Sequence, residues 1–217
     1  MCLGHAVSLL LQIPSFPLPL LRFIVTFIYS APPIFFFFAA EGYRYTHNKR
    51  KYLLRVLICA VITQIVLSVP LYTTVFPKLN IIFSIFFALL SLVIWDREWP
   101  LPIRIMLIAV CTAITYFAEW ELVVPLLVMV FYFLDKRPVL RFIFYEIIMF
   151  AYNYLFGGGG DQSAAMRFML GVTTSILIIT FFYNGKKGSN SKFSKYFFYV
   201  FYPAHWAIIL IITKLIA

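Results

Sequence analysis

The feature that most limits what this chain can fold into is a succession of apolar runs separated by short loops rich in lysine and arginine. Nine runs can be read: residues 3–21, 23–40, 53–76, 81–95, 101–118, 122–134, 139–156, 166–183 and 196–216. A bilayer's hydrocarbon core, about 30 Å thick, is crossed by roughly 20 apolar residues of helix. Pro14, Pro17 and Pro19 break the first run, so eight or nine spans are expected. The fifth and sixth runs are short, and a re-entrant hairpin is an alternative to two spans there. The expected fold is all-α, a polytopic transmembrane helix bundle forming one membrane domain over residues 1–217.

Composition agrees. Of 217 residues, 63% are hydrophobic and 12% charged, against roughly 45–50% and 25% in soluble domains. Mean hydropathy is +0.94. A soluble protein of this size has no interior large enough to hide so much apolar side chain, so lipid is the expected surrounding for most of it.

The net charge of +10 has its explanation in the loops. Fourteen of the 18 lysines and arginines flank or fill the second, fourth, sixth and eighth loops. Arg22, Lys78, Arg167 and Lys214 fall on the other side. Short cytoplasmic loops carry such an excess, so these four loops are expected in the cytoplasm of a multi-pass inner or plasma membrane protein, against anionic lipid. Nucleic acid is not an expected partner, because a basic patch for it needs a folded polar face. Cys2, Cys59 and Cys111 show neither disulfide nor metal spacing, and no metal is expected. No cleavable signal peptide is expected, since a basic leading region is absent. Residues 157–160 with Asp161 read as a flexible external loop without a phosphate motif.

Ionisable groups inside lipid are costly and point to function. His205 is the foremost, in Tyr199-Val200-Phe201-Tyr202-Pro203-Ala204-His205. It falls about 13 Å into the last run at 1.5 Å per residue. Tyr199, Tyr202 and His205, three apart, share one helix face. Pro203 frees the Tyr199 carbonyl from its helical bond. The bland alternative is a histidine bonded between helices. Glu41 closes the second run and can pair with Arg44, Arg55 or an arginine of another loop. The loop from Tyr43 to Arg55 mixes cations with aromatics. Arg44, Arg50 and Arg55 suit phosphates and Tyr52 offers a stacking face, although a plain basic flank reads the same way. His5 is a further candidate near the chain start. Asp96 and Glu98 read as interfacial charge, and Glu119 and Glu121 lie in a short external turn.

Four stretches resemble the TraX family of polytopic membrane proteins. Residues 38–55 are similar to its apolar helix, Glu-Gly, aromatic, basic loop and Lys-Tyr-Leu-Leu-Arg. Asn80-Ile81-Ile82-Phe83-Ser84 resembles its Asn-Val-Ile-Phe-Thr, Tyr183-Asn184-Gly185-Lys186-Lys187-Gly188 its Tyr-Asn-Gly-x-x-Gly, and residues 197–205 its terminal Phe-Tyr-x-Phe-Tyr-Pro-x-His. Gly4-His5 stands where the family has Asp-His, and Glu119-Trp120-Glu121 where it has Asp-Tyr-Gly.

The resemblance implies acetyl transfer, the founding member being associated with N-terminal acetylation of conjugative pilin. In outline the family is also similar to type 3 membrane acyltransferases. By that analogy cytosolic acetyl-CoA is the donor and a pilin-like or other envelope amine or hydroxyl the acceptor. His205, His5, Glu41, Tyr202 and Tyr199 are then the expected catalytic set. Arg44, Arg50, Tyr52, Arg55, Asn184 and Lys186 are expected to bind the donor, and Asn80 and Glu119 to support the site. The rival expectations are a non-catalytic component of a conjugation, secretion or envelope assembly, and a small transporter.

Overall fold

A computed structural model describes residues 18–68, 78–157, 162–186 and 192–216. It is all-α: nine α-helices and one 3₁₀ turn, with no strand among the described residues. They are α1 (Leu18–Ile28), α2 (Ala31–Tyr45), α3 (Lys49–Ser68), α4 (Ile81–Trp95), α5 (Leu101–Ile114), α6 (Val123–Phe133), α7 (Pro138–Phe156), α8 (Gln162–Phe182) and α9 (Lys192–Ile216), with the 3₁₀ turn at Thr115–Phe117. His5, residues 3–17, the stretch 69–77, residues 158–161 with Asp161, and Lys187 lie outside the described residues.

Local chemistry sets the helix starts. The Asn48 side chain accepts the Lys51 N–H at 2.9 Å and opens α3. Asn80 does the same for α4 through Ile82 N–H at 3.0 Å. Pro102 and Pro138 occupy first-turn positions of α5 and α7, where a missing N–H costs nothing.

Arg22–Tyr45, Lys49–Ser68, Pro138–Phe156 and Gln162–Phe182 are long and apolar enough to cross a membrane by length and composition. The chain is therefore a membrane protein. The runs counted as spans four, five and six are the shorter apolar helices Ile81–Trp95, Leu101–Phe117 and Val123–Phe133. Helix α6 has 11 residues, about 16 Å of rise, roughly half a hydrocarbon core.

The chain divides into two compact units, each drawn from two stretches. The first comprises Met1–Phe38 and Val130–Lys186. There α1 packs on α8 and α8 on α7. Gly171 permits the first contact, because a Cβ on it would collide with the Thr26 carbonyl. Between α7 and α8, the Tyr145 hydroxyl donates to the Val172 carbonyl at 2.8 Å and meets Ser175 Oγ at 2.8 Å. Arg141, counted among the loop cations, is instead buried. Helix α7 already begins at Pro138, and Arg141 lies one turn in, its guanidinium 5.7 Å from the Phe37 ring centroid.

The second unit comprises Ala39–Met129 and Lys187–Ala217. Helix α3 packs against both α4 and α9, and α4 against α5. Its two polar centres lie at opposite ends of α4, a helix of 15 residues and about 22 Å of rise.

Candidate functional site

The first centre is built on the loop joining α2 to α3. Glu41 is buried and forms an ion pair with Arg44, one of the expected partners. Tyr43 is fully buried, and its hydroxyl donates to Asp96 Oδ2 at 2.7 Å. Lys49 pairs with the same carboxylate and lies 4.3 Å from the Tyr43 ring centroid. Asp96, read as interfacial charge, thus ties the end of α4 to the basic loop. The Tyr52 hydroxyl donates to the Ala39 carbonyl at 3.3 Å. Gly42 leaves room for it, since a Cβ there would stand 2.6 Å from that oxygen. The Arg55 guanidinium sits 6.0 Å from the Tyr52 ring centroid, and Arg50 is exposed. Asn184 and Lys186 are exposed members of the first unit, where Asn184 Oδ1 accepts the Lys186 N–H at 3.0 Å.

Between the two ends of α4 runs the stripe on α9. Pro203 sits inside this helix and has no N–H for the Tyr199 carbonyl four residues back. The Cys59 thiol of α3 donates to that carbonyl at 3.5 Å. Cys59 is buried, and through this bond it ties α3 to α9. Tyr199 lies near Tyr52, which brings this end of the stripe to the basic loop.

Tyr202 and His205 are both buried, with ring centroids 4.9 Å apart in an edge-on arrangement. His205 stacks on Phe201 at 5.5 Å. Its Nδ1 lies 3.2 Å from the Phe201 carbonyl. A carbonyl only accepts, so Nδ1 carries the proton and the lone pair of the neutral ring is on Nε2. Trp206 lies beside the Tyr202 hydroxyl.

A polar knot closes the far end of the second unit. Asn80 Nδ2 donates to the Ala60 carbonyl and to Gln64 Oε1, both at 2.9 Å, and the Asn80 N–H also reaches Gln64 Oε1 at 2.9 Å. Leu79 and Ala118 form a parallel bridge, with the Glu119 N–H donating to the Leu79 carbonyl at 2.9 Å. The Ser84 hydroxyl donates to the Glu119 carbonyl at 2.7 Å. Asn80 and Glu119, 39 positions apart in the chain, are thereby brought together.

The Glu119 side chain accepts the Ile81 N–H and interacts with Tyr202. Burial pushes its carboxyl up to about 7, against the opposing pulls of that N–H and of Lys78. Lys78 is itself paired with Glu121.

Three polar residues escaped the sequence reading. Gln64 stands alone as an amide in the apolar run 53–76, and Glu146 as a carboxylate in the run 139–156; each interruption was a signal. Glu146 Oε2 accepts the Thr173 hydroxyl at 3.1 Å within the first unit. Cys59 gave no signal beyond its burial. Among the described residues no cluster of histidine, cysteine, aspartate or glutamate has the makings of a metal site.

Comparison with known proteins gives two matches. Residues 20–213 match the family described as "TraX protein". A protein of Dichelobacter nodosus, described as "Probable fimbrial assembly protein FimC, serogroup H1", is 27% identical over 237 aligned positions, covering 96% of this chain and 89% of that protein. No solved structure matches.

Proposed function

The chain belongs to the TraX family, and from that premise we propose that it is a membrane-embedded acetyltransferase, moving an acetyl group from acetyl-CoA to an amine or hydroxyl. The observation that carries the reading is the buried His205, whose Nδ1 is tied to the Phe201 carbonyl and whose Nε2 holds the basic lone pair. A neutral imidazole held this way is suited to general-base work.

The acceptor's N–H or O–H proton passes to His205 Nε2 as its nitrogen or oxygen attacks the thioester carbon. The carbonyl electrons move onto oxygen, where the Tyr202 hydroxyl is a donor of the right kind. Collapse of that intermediate breaks the C–S bond, and the departing thiolate takes the proton back from His205. Arg44, Arg50 and Arg55 provide charge for the donor's phosphates, and Tyr52 a ring for its base. In this reading the basic loops face the cytoplasm of the inner membrane, where acetyl-CoA resides. The fimbrial description of the Dichelobacter nodosus relative favours the N-terminus of a pilin-like subunit as acceptor.

The same description also suits a second reading, a non-catalytic part of a pilus assembly. Complementation separates the two. Where deletion of the chain's gene gives a pilus or envelope defect, His205→Ala present in the membrane at wild-type level is expected to leave that defect in place. Full rescue by that variant is the result the assembly reading predicts.

A further inference from the structure

We propose that the groove between α5 and α6 is a binding site for one anionic glycerophospholipid, its phosphate at Arg104 and one acyl chain along the groove.

The groove has a volume of about 530 Å³ and is lined by Trp95, Ile105, Ile108, Ala109, Thr112, Ala113, Leu122, Leu126 and Met129. Thr112 is the one hydroxyl in this lining, and its Oγ1 is already spent on the Ile108 carbonyl at 2.9 Å. The small side chains of Ala109 and Ala113, one turn apart on α5, leave the space open. Ile105 and Leu126 on its flanks are exposed. An apolar channel of this volume is of ligand size, and in a membrane it calls for a hydrocarbon chain.

One end of the groove carries the charge. Trp95 lines it, and the Arg104 guanidinium sits 5.0 Å from the Trp95 ring centroid. Arg104 Nη1 donates to the Trp95 carbonyl at 3.0 Å, which holds the guanidinium beside that residue, just outside the lining. Its Nε is buried, and no carboxylate pairs with the guanidinium among the described residues. Arg97 and Trp99 are exposed in the connection just before. A guanidinium whose charge no carboxylate neutralises, beside tryptophan, is suited to a phosphodiester at the headgroup level, where tryptophan also settles. The lining itself holds no lysine or arginine, and Arg104 stands beside its Trp95 end. Charge at one end and hydrocarbon along the rest is the pattern of an anionic lipid, and a partner helix has no need of it.

The test uses the purified full chain in detergent and native mass spectrometry, with phosphatidylglycerol and phosphatidylcholine of identical acyl chains. Wild type is expected to retain phosphatidylglycerol about tenfold more tightly, near 1.4 kcal/mol. Arg104→Gln brings the two lipids level, and Arg104→Lys restores part of the preference. Ala109→Phe, which fills the groove, reduces retention of both. Equal retention of the two lipids by wild type overturns the proposal, as does an undiminished preference in Arg104→Gln. A dimer that added lipid does not displace, and that Ala109→Phe abolishes, assigns the groove to a second copy instead.

Discussion

Glu119 is a carboxylate whose surroundings favour its proton. Its value of about 7, above the ordinary 4.5, means that the folded chain binds a proton more tightly than the unfolded chain between those limits. The resulting stabilisation is fully present below about pH 4.5 and is lost as pH rises through about 7. Glu119→Gln keeps an oxygen for the Ile81 N–H but does not titrate. The thermal midpoint of detergent-solubilised wild type is therefore expected to fall by a few degrees relative to Glu119→Gln between pH 5 and pH 8. Parallel curves for the two proteins would contradict this account of the knot.

His205, Tyr202 and Glu41 were legible in the sequence because a histidine, a spaced tyrosine and an acid stand out in an apolar run. Their partners were legible only in part. Pro203 announced a vacant carbonyl at Tyr199, but nothing in a sequence says that a cysteine 140 positions earlier donates to it. Asp96 reads in the sequence only as interfacial charge, for a related reason. Its role depends on Tyr43 and Lys49 arriving from another helix end, a fact of topology rather than of local pattern.

At the scale of elements, the helical class follows from the length of the apolar runs, and the helix starts follow from Asn48, Asn80 and the prolines. The lengths were less legible. Run 101–118 contains a helix that ends at Ile114 and a 3₁₀ turn, because the chain there leaves helical geometry to bridge Leu79. Hydropathy does not distinguish a helical residue from an apolar residue in a turn.

The α1–α8 contact gives a separate prediction. In an ordinary helix Gly→Ala gains about 1 kcal/mol of propensity. At Gly171 the new Cβ meets the Thr26 carbonyl, a backbone atom that has no rotamer to escape into. Overpacking of this kind costs about 1–3 kcal/mol, so the clash outweighs the propensity gain. Gly171→Ala is expected to lower the thermal midpoint in detergent. A midpoint at or above that of wild type would show that α1 and α8 do not approach so closely.

For the whole molecule, the order of groups along the second unit is the governing feature. The basic loop with Asp96 stands at one end of α4, and Asn80, Gln64 and Glu119 at the other. Helices α3 and α9 run between, joined at Cys59 and Tyr199. Tyr199, Tyr202 and His205 follow one another along α9 away from the Tyr52 ring. On the proposed acetyltransferase reading, a donor held by the loop and a base along the stripe would stand in series on this one pair of helices.

The most direct test of the central claim is transfer of label from [acetyl-¹⁴C]acetyl-CoA in membranes containing wild type or His205→Ala at equal levels, with a pilin-like peptide as acceptor. The account predicts label on the acceptor with wild type and a loss on the order of 10²–10⁴-fold with His205→Ala. Equal transfer by the two proteins, or none by wild type to any protein or glycan in the membranes, would contradict it.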